Sequence, residues 1–277
     1  MIGTIISFSV MAVAGRELIS SLSTFEMMMY RSAVGLLIVG IVLSATGRWG
    51  EIRTQRIKTH LARNAFHFIG QNLWFFSLAF IPLAQVFALE FTTPIWVILL
   101  SPLLLGERFT TIKAITAFLG FIGVLFVTQP GTTELNAGVI AAASSAVFFA
   151  LSIILTKRLT ASESIGCIMF YLTSMQLVFG AVIAGYDGHV TVPSSAELPY
   201  VIAIAIGGLT AHFCYTKALS LAPATIVSPI DFARLPTIAI IGWLLYNETL
   251  DPYVFFGAGI IFGANYLNIW SQTRKTA

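Results

Sequence analysis

Charged side chains are scarce in this chain. Only 10% of its 277 residues are Asp, Glu, Lys or Arg, against roughly 25% in an ordinary soluble protein. Hydrophobic residues make up 57%, and the mean hydropathy is +0.88. So few polar groups do not cover a soluble surface, which predicts that lipid surrounds most of the chain. The net charge of +3 is typical of a membrane protein with basic cytoplasmic loops, and no nucleic-acid partner is predicted.

Several sequence motifs typical of enzymes, disulfide frameworks and metal sites are also absent from the sequence. The two cysteines, Cys167 and Cys214, are too few for a disulfide framework. The sequence has no phosphate-binding Gly-x-x-x-x-Gly-Lys-Ser/Thr loop and no Ser-His-Asp pattern. We therefore predict neither an enzyme nor a cofactor. His60 and His67 share a helical face, but no Cys, Asp or Glu near them in the sequence completes a metal set, so no metal site is predicted.

Long apolar segments fill the chain instead. A bilayer core requires about 20 apolar residues per helix, and breaks at Gly, Pro and charged residues divide the sequence into ten such segments. The sequence therefore predicts an all-α membrane protein with ten transmembrane helices. The predicted helices span residues 1–18, 24–46, 58–80, 83–106, 111–128, 136–156, 165–186, 197–219, 223–246 and 252–271.

Basic residues are concentrated in alternate connections between these segments. If the N-terminus is cytoplasmic, 12 of the 15 Lys and Arg residues lie at the cytoplasmic side. Arg16 and Arg31 lie near outer ends of segments, and Arg234 lies inside the ninth. This asymmetry predicts a multi-pass membrane protein with both termini in the cytoplasm. The cytoplasmic set is Arg48, Arg53, Arg56, Lys58, Arg63, Arg108, Lys113, Lys157, Arg158, Lys217, Arg274 and Lys275.

The two halves of the chain resemble each other around an acidic residue. The interval in the sequence from Glu90 to Glu107 equals the interval from Asp231 to Glu248. Each of the earlier acids is followed directly by a phenylalanine and then, within the next helical turn or so, by a proline. An acid repeated in this way inside apolar helices is typical of a membrane transporter.

This repeat predicts how the chain is organised. Each half holds five segments, an odd number, so the second copy enters the membrane inverted relative to the first. We predict a single membrane domain, residues 1–277, made of a first inverted repeat at 1–130 with helices 1–5 and a second at 131–277 with helices 6–10. If each half can adopt the conformation of the other, a site between them opens to opposite sides in turn.

Several motifs are similar to those of a known family. Phe76-Ser-Leu-Ala-Phe-Ile-Pro-Leu-Ala84 in the first half and Lys217-Ala-Leu-Ser-Leu-Ala-Pro-Ala224 in the second resemble EamA-type carriers of the drug/metabolite transporter superfamily. The resemblance covers nearly the whole chain. It implies a five-plus-five inverted repeat around a central cavity. The arrangement is similar to that of bacterial exporters of amino acids, aromatic ones included, and also to that of S-adenosylmethionine carriers.

Glu90 and Asp231 are candidate site residues because of their depth. Each lies about two helical turns from the end of its segment, about 10–12 Å into the bilayer core. A charge at that depth needs a partner, a cavity or a proton. One interpretation is a buried ion pair in which Arg234 neutralises Asp231 or Glu90 and locks two segments together. The other is direct contact with a substrate ammonium group or a coupling proton.

Pro94 is a further candidate. It has no N–H to donate to the carbonyl of Glu90, one helical turn earlier. A carbonyl freed in this way needs protein or water to satisfy it inside a bilayer. This predicts a kink or hinge that faces a cavity, with a static packing bend as the alternative.

Two helical faces combine hydrogen-bonding groups with aromatic surface. His67, Gln71, Trp74 and Leu78 follow one another at spacings of four, three and four, which places them on one stripe. The second face carries His212 and Tyr215. We predict that both faces line the cavity and suit an amino acid with a ring. The alternative is that the histidines are ordinary packing residues with satisfied hydrogen bonds.

Other positions are predicted to be structural. Glu107 and Glu248 precede the fifth and tenth helices and are expected to accept hydrogen bonds from their first N–H groups. The pairs Gly120/Gly123 and Gly259/Gly263 are expected to allow close helix packing.

These features predict a secondary transporter that exports small organic metabolites by alternating access. Amino acids, including aromatic ones, are the leading substrate class, because of the resemblance. The expected partners are a small-molecule substrate, membrane lipid and a proton as candidate coupling ion, and the expected assembly is a monomer or a loose dimer. One alternative is a carrier for uptake or exchange of S-adenosylmethionine or another charged metabolite. An alternative of a different class is an intramembrane enzyme acting on lipid-linked substrates.

Overall fold

The structure is a computed structural model in which residues 2–106, 110–129, 135–186, 188–222, 227 and 234–276 are described. These residues contain no β-strand. A short 3₁₀ helix, Trp49–Ile52, follows the second helix. The α-helices are α1 (Ile2–Leu18), α2 (Thr24–Thr46), α3 (Ile57–Leu78), α4 (Leu83–Glu90), α5 (Thr93–Leu105), α6 (Thr111–Thr128), α7 (Ala137–Leu159), α8 (Ile165–Ala184), α9 (Leu198–Leu221), α10 (Arg234–Tyr246) and α11 (Pro252–Thr276).

Capping residues fix where several helices begin. Ser23 accepts a hydrogen bond from the N–H of Glu26, whose carboxylate accepts one from the N–H of Ser23, so both hydrogen bonds of a capping box are present at α2. The side chains of Asn136 and Ser164 accept from N–H groups in the first turns of α7 and α8. The predicted helix starts at these positions therefore agree with the structure to within one residue.

Among the described residues, seven helical segments are long and apolar enough to cross a membrane, and one of these combines α4 with α5. Three of the ten predicted spans do not meet these criteria of length and apolar composition in the described residues. Helix α1 has 17 residues, α3 carries basic and histidine side chains, and the described part of the predicted ninth span is α10, with 13 residues. The all-helical membrane character is confirmed. The seven candidate spans are Thr24–Thr46, Leu83–Leu104, Thr111–Thr128, Ala137–Leu159, Ile165–Ala184, Leu198–Leu221 and Pro252–Ser271.

The outer surface of the bundle is apolar. Large hydrophobic side chains such as Leu103, Phe118 and Val182 are between 66% and 81% exposed, which in water would be an aggregation-prone surface. Polar side chains, by contrast, are found inside: His60, Asn64 and others have no exposed surface at all. This distribution fits a protein whose outer solvent is lipid.

The helices pack most extensively in four pairs, α3 with α7, α6 with α11, α1 with α9 and α2 with α8. The α6–α11 contact is close because Gly123 and Gly257 face each other. A Cβ on Gly123 would lie 2.7 Å from the carbonyl oxygen of Gly257. The predicted packing role of Gly259 and Gly263 is wrong, since a Cβ at either position would meet nothing within 4 Å.

The predicted fourth span is divided in two. Helix α4 ends at Glu90, and α5 begins at Thr93. Pro94 lies in the first turn of α5, where a missing N–H leaves no bond unmade. The carbonyl of Glu90 accepts a hydrogen bond from the hydroxyl of Thr93 at 2.6 Å. The break therefore satisfies its own backbone and holds Glu90 at the point where the helix is interrupted.

Glu248 caps a different helix from the predicted one. Its carboxylate accepts from the N–H of Leu83, the first residue of α4, at 2.8 Å and pairs with Arg16 at 3.2 Å. The prediction that it caps the tenth helix is wrong, because α10 packs against α4 and its C-terminal end brings Glu248 over the start of α4. The matching Glu107 lies outside the described residues.

Candidate functional site

A cavity lies inside the bundle. Side chains from α1, α3, α7, α9, α10 and the α4–α5 break surround about 750 Å³ of empty space, counting the part that is open to solvent. The cavity is lined by Phe8, Met11, Arg63, His67, Gln71, Trp74, Glu90, Phe91, Thr93, Pro94, Phe149, Ser152, Ile153, Thr156, His212, Tyr215, Thr216 and Arg234.

Eight of the ten predicted site residues are among these lining residues. They are His67, Gln71, Trp74, Glu90, Pro94, His212, Tyr215 and Arg234.

The two other predicted site residues behave differently. Leu78 is not among the lining residues: this side chain is fully buried in the hydrophobic core and would lie 3.4 Å from a Cβ on Gly15 of α1. The stripe on α3 runs past the end of the cavity at that point. Asp231 lies outside the described residues.

Glu90 and Arg234 form an ion pair at one end of the cavity. Their closest atoms are 2.9 Å apart, and 15% and 2% of their respective side chains are exposed. The second carboxylate oxygen of Glu90 accepts a hydrogen bond from the indole N–H of Trp74 at 2.8 Å. This is the ion pair that one of the two sequence interpretations describes. With both oxygens engaged, Glu90 offers little for a substrate ammonium group in this conformation.

Aromatic rings surround the guanidinium of Arg234. Its central carbon lies 4.6 Å from the centroid of the Phe8 ring, 4.8 Å from that of Phe87 and 5.6 Å from that of Phe91. Cations are attracted to the faces of aromatic rings, most strongly where water is excluded. The rings therefore stabilise the buried charge and fix the direction of the side chain toward Glu90.

Two arginines that the sequence analysis assigned to the membrane surfaces are buried. Arg63, placed there in a cytoplasmic loop, lines the cavity with 3% exposure, and Arg31 is 5% exposed beside it. Arg63 donates to the hydroxyl of Thr156 at 3.0 Å, and Arg31 lies 3.5 Å from the side-chain oxygen of Gln71. One signal for Arg63 was available, because it lies one helical turn before His67 on the same stripe.

A pair of histidines forms part of the wall. The rings of His67 and His212 meet edge to face with their centroids 4.6 Å apart, and both are more than 90% buried. Within the described part of the chain, the Nε2 atom of each has no hydrogen-bond partner, nor has the amide nitrogen of Gln71. Satisfied packing histidines were the alternative prediction, and the Nε2 atoms do not fit it. Three buried polar atoms of the lining residues thus have no described hydrogen-bond partner.

Apolar helices of membrane length around a buried cavity with charged and aromatic walls define a membrane transporter. The sequence profile of the EamA-like transporter family matches residues 1–129 and 136–270. The chain belongs to this family and is a multi-pass membrane protein.

Curated relatives have names that describe transport. The chain is 30% identical to a riboflavin transporter of Brucella anthropi over 82% of both chains. It is 24% identical to an S-adenosylmethionine uptake transporter of Rickettsia prowazekii over 98% of this chain and 92% of the relative. A solved crystal structure superposes with a TM-score of 0.69 over 99% of both chains at 16% identity, which establishes a shared fold.

Proposed function

We propose that the protein is a secondary transporter of the bacterial inner membrane that exports small organic metabolites by alternating access. The proposed substrate carries an aromatic ring and a carboxylate, and aromatic amino acids are the leading class. The observation that carries this proposal is the buried position of Arg63 in the cavity wall and of Arg31 behind the lining residue Gln71. The described hydrogen-bond partners of both arginines are neutral.

The charge of the cavity favours an anionic group on the substrate. Glu90 is engaged by Arg234, and neither Arg31 nor Arg63 is within ion-pair distance of a carboxylate among the residues that the structure describes. Burying an arginine without a counter-charge is expensive within a membrane. A substrate carboxylate would supply that charge, and the planar fork of an arginine matches a carboxylate with two parallel hydrogen bonds.

The aromatic side chains of the cavity wall favour a substrate with an aromatic ring. Trp74, Phe149 and Tyr215 line the same cavity as Arg63 and the two histidines. Aromatic rings stack on one another in offset or edge-to-face geometry, and such pairs contribute about 0.5–1.5 kcal/mol beyond the area that they bury. The unmatched Nε2 atoms of the histidine pair offer hydrogen-bonding positions to further polar groups of the substrate.

The lining residues support two inverted repeats of five helices, 1–130 and 131–277, around this cavity. Many of them occupy equivalent positions in the two halves of the chain. Five pairs of lining residues share one constant offset in residue number, which is the offset that separates Glu90 from Asp231. The pairs are Phe8 with Phe149, Met11 with Ser152, Gln71 with His212, Trp74 with Tyr215 and Thr93 with Arg234.

Equivalent contacts outside the cavity give the same support. Arg16 donates to the carbonyl of Ile81 at 3.0 Å, and Lys157 donates to the carbonyl of Ala222 at 3.1 Å. The two donors and the two acceptors are related by the same offset in residue number. The helix pairs α3–α7 and α1–α9, which exchange under this repeat, are also among the four most extensive contacts. The family profile likewise matches the chain in two stretches, residues 1–129 and 136–270.

In the proposed transport cycle, the Glu90–Arg234 ion pair holds one end of the cavity closed in one of the two conformations. Along α3 the cavity extends from Arg63 to Trp74, a distance of about 16 Å at 1.5 Å per residue. Trp74 and the ion pair lie at the end away from the predicted cytoplasmic side. In the proposed cycle, the pair separates when the two halves exchange conformations and the opposite end closes. A proton on Glu90 would release Arg234 and couple transport to pH.

S-adenosylmethionine is the second candidate substrate, because a relative that matches 98% of this chain is named for its uptake. That molecule also combines a ring system with a carboxylate, so it satisfies the same cavity features. The polar groups of the cavity lie along the middle of the bundle, not at one membrane face. This arrangement gives no support to an intramembrane enzyme.

Counterflow in proteoliposomes tests the proposal. Purified protein is reconstituted in vesicles loaded with unlabelled phenylalanine, S-adenosylmethionine or riboflavin, and uptake of the labelled compound is followed. We expect accumulation of a labelled carboxylate compound, and competition by phenylalanine but not by its carboxamide. Arg63→Gln should reduce counterflow at least tenfold, whereas Arg158→Gln, an exposed arginine at the end of α7, should not.

Other results would identify a different substrate or reject the proposal. Counterflow of riboflavin alone, or equal competition by acid and carboxamide, would contradict the carboxylate requirement. Absence of counterflow with every compound would contradict the substrate class. Export is tested separately in intact cells loaded with the substrate, where the protein should accelerate efflux. If Glu90→Gln leaves the pH dependence of transport unchanged, this residue does not carry a coupling proton.

A further inference from the structure

A second cluster of reactive side chains lies away from the cavity. His60 is in the first turns of α3, Glu163 follows α7 and Cys167 is in the first turn of α8. One nitrogen, one carboxylate oxygen and the thiol sulfur of these residues all lie within 4.8 Å of one another. None of the three residues is part of the transport cavity wall. The cluster joins the first half of the chain to the second.

The imidazole of His60 needs a partner that the described residues do not supply. It has no exposed surface, and neither ring nitrogen has a hydrogen-bond partner within the described part of the chain. One face of the ring packs on Tyr171, with centroids 4.5 Å apart. An unsatisfied buried polar group costs roughly 1–3 kcal/mol, so an imidazole with two unmatched nitrogens indicates a bound ligand or ion.

Glu163 and Cys167 present the complementary ligand atoms. The thiol sulfur of Cys167 lies 3.2 Å from one carboxylate oxygen of Glu163. The other oxygen of that carboxylate accepts a hydrogen bond from the hydroxyl of Thr54 at 2.7 Å. This second contact orients the carboxylate so that its remaining oxygen faces the sulfur. Hydrogen bonds of this kind fix the ligands in protein metal sites.

We propose that His60, Glu163 and Cys167 form a binding site for a thiophilic divalent cation, with Zn²⁺ as the representative ion. Imidazole, thiolate and carboxylate are its usual ligands, with bonds of about 2.0–2.3 Å that place neighbouring ligand atoms roughly 3.5 Å apart in a tetrahedron. The observed separations need only small side-chain movements to reach that geometry. A water molecule completes the fourth position. On binding, Cys167 loses its thiol proton to solvent and coordinates as the thiolate.

The ion would connect the beginning of α3 to the beginning of α8. His60 lies about one turn of α3 before Arg63, so this short distance separates the metal site from the transport cavity. Occupancy of the site would therefore fix the end of the helix that carries Arg63, His67 and Gln71. A bound cation would therefore regulate transport by restraining α3 beside the proposed transport path, whichever metabolite is carried.

Cobalt and zinc binding to the full-length protein in detergent tests the site. Chelator-treated protein is titrated with Co²⁺ while the thiolate-to-metal charge-transfer absorption is followed, and bound Zn²⁺ is counted by mass spectrometry after gel filtration. Wild type and the matched control Cys214→Ser should bind one ion per chain with the thiolate band. Cys167→Ser should lose the band and weaken binding at least 100-fold. Thr54→Val should weaken it about tenfold, since it removes the orienting hydrogen bond.

A fourth variant separates metal binding from packing. His60→Phe keeps an aromatic ring against Tyr171 but removes both nitrogens, so it should retain the thermal unfolding temperature of the metal-free wild type and lose the metal. Equal Zn²⁺ affinity in wild type and Cys167→Ser, or a Co²⁺ complex without the thiolate band, would overturn the proposal. So would loss of binding in Cys214→Ser alone. None of these outcomes depends on the transported substrate.

Discussion

Arg234 and Glu90 are far apart in the sequence, and their side chains meet at 2.9 Å inside the bundle. Glu90 lies at the end of α4 and Arg234 at the start of the described part of α10. Their ion pair therefore joins an element of the first half to one of the second half, at one end of the cavity.

Removing both partners of this pair should cost less than the sum of the losses from removing each partner alone. Glu90→Gln removes the carboxylate that lies 2.9 Å from the buried guanidinium of Arg234, and Arg234→Met removes the cation that pairs with Glu90. Each single variant should lose about 3–5 kcal/mol of stability. The double variant should be more stable than the sum of the two losses predicts, by roughly 0.5–3 kcal/mol. Chemical unfolding in detergent, followed by tryptophan fluorescence, measures the stability of wild type, both single variants and the double variant, which together form a double-mutant cycle.

Glu90→Gln keeps an acceptor for the indole of Trp74, so the cycle isolates the ion pair. Strictly additive losses would mean that the two side chains do not interact in the folded protein.

The hydroxyl of Thr93 should stabilise the helix break. It donates to the carbonyl of Glu90, to which Pro94 has no N–H to donate. Thr93→Val should therefore lower stability by about 1–3 kcal/mol, the cost of an unsatisfied buried carbonyl. Thr92→Val is the matched control, because the carbonyl of Leu89 loses the Thr92 hydroxyl but keeps the backbone N–H of Thr92 at 3.1 Å. Thermal unfolding of both variants measures this difference. Equal losses of stability in Thr93→Val and Thr92→Val would contradict the prediction.

Glycine at the α6–α11 contact should be required for folding. A Cβ on Gly123 or Gly257 would lie 2.5–2.7 Å from backbone oxygen of the facing helix, so Gly123→Ala and Gly257→Ala must separate the helices. We expect each to lose several kcal/mol or to fail to fold. Gly259→Ala, where the new Cβ meets nothing within 4 Å, should be neutral or gain up to about 1 kcal/mol from helix propensity.

Yield of monodisperse protein and thermal unfolding compare these three glycine variants directly. A Gly123→Ala variant as stable as Gly259→Ala would refute close packing of α6 on α11.

Glu248 should make stability depend on pH. Burial raises the pKa of its carboxyl group, although the N–H of Leu83 and the cation of Arg16 act in the opposite direction. The folded protein then holds this proton more tightly than the unfolded chain does. The contribution to stability is present below the unfolded pKa of about 4.3 and is lost as the pH rises through the folded pKa.

Thermal unfolding between pH 4 and pH 8 tests this sign with Glu248→Gln, which does not titrate. The unfolding temperature of wild type relative to the variant should fall as the pH rises. A relative stability that increases with pH would mean that Arg16 and Leu83 outweigh burial.

The sequence by itself determined the helical membrane character and most helix boundaries. Apolar runs of about 20 residues predict membrane helices because a bilayer core has a fixed thickness. Ser23, Asn136 and Ser164 mark helix starts because their side chains accept from N–H groups in the first helical turn. Stripes such as His67, Gln71 and Trp74 follow from the helical period. All of these rules act over a few residues.

Tertiary structure alone decided which side chains meet. Arg63 faces the cavity and not a loop, Leu78 faces the core, and Glu248 caps α4. His60 meets Glu163 and Cys167 from the other half of the chain, a cluster for which the sequence offers no local signal. The physical reason is that the hydrophobic period of a helix tells which face is buried but not which helix covers that face. The partners of a buried charge are fixed only when distant helices pack.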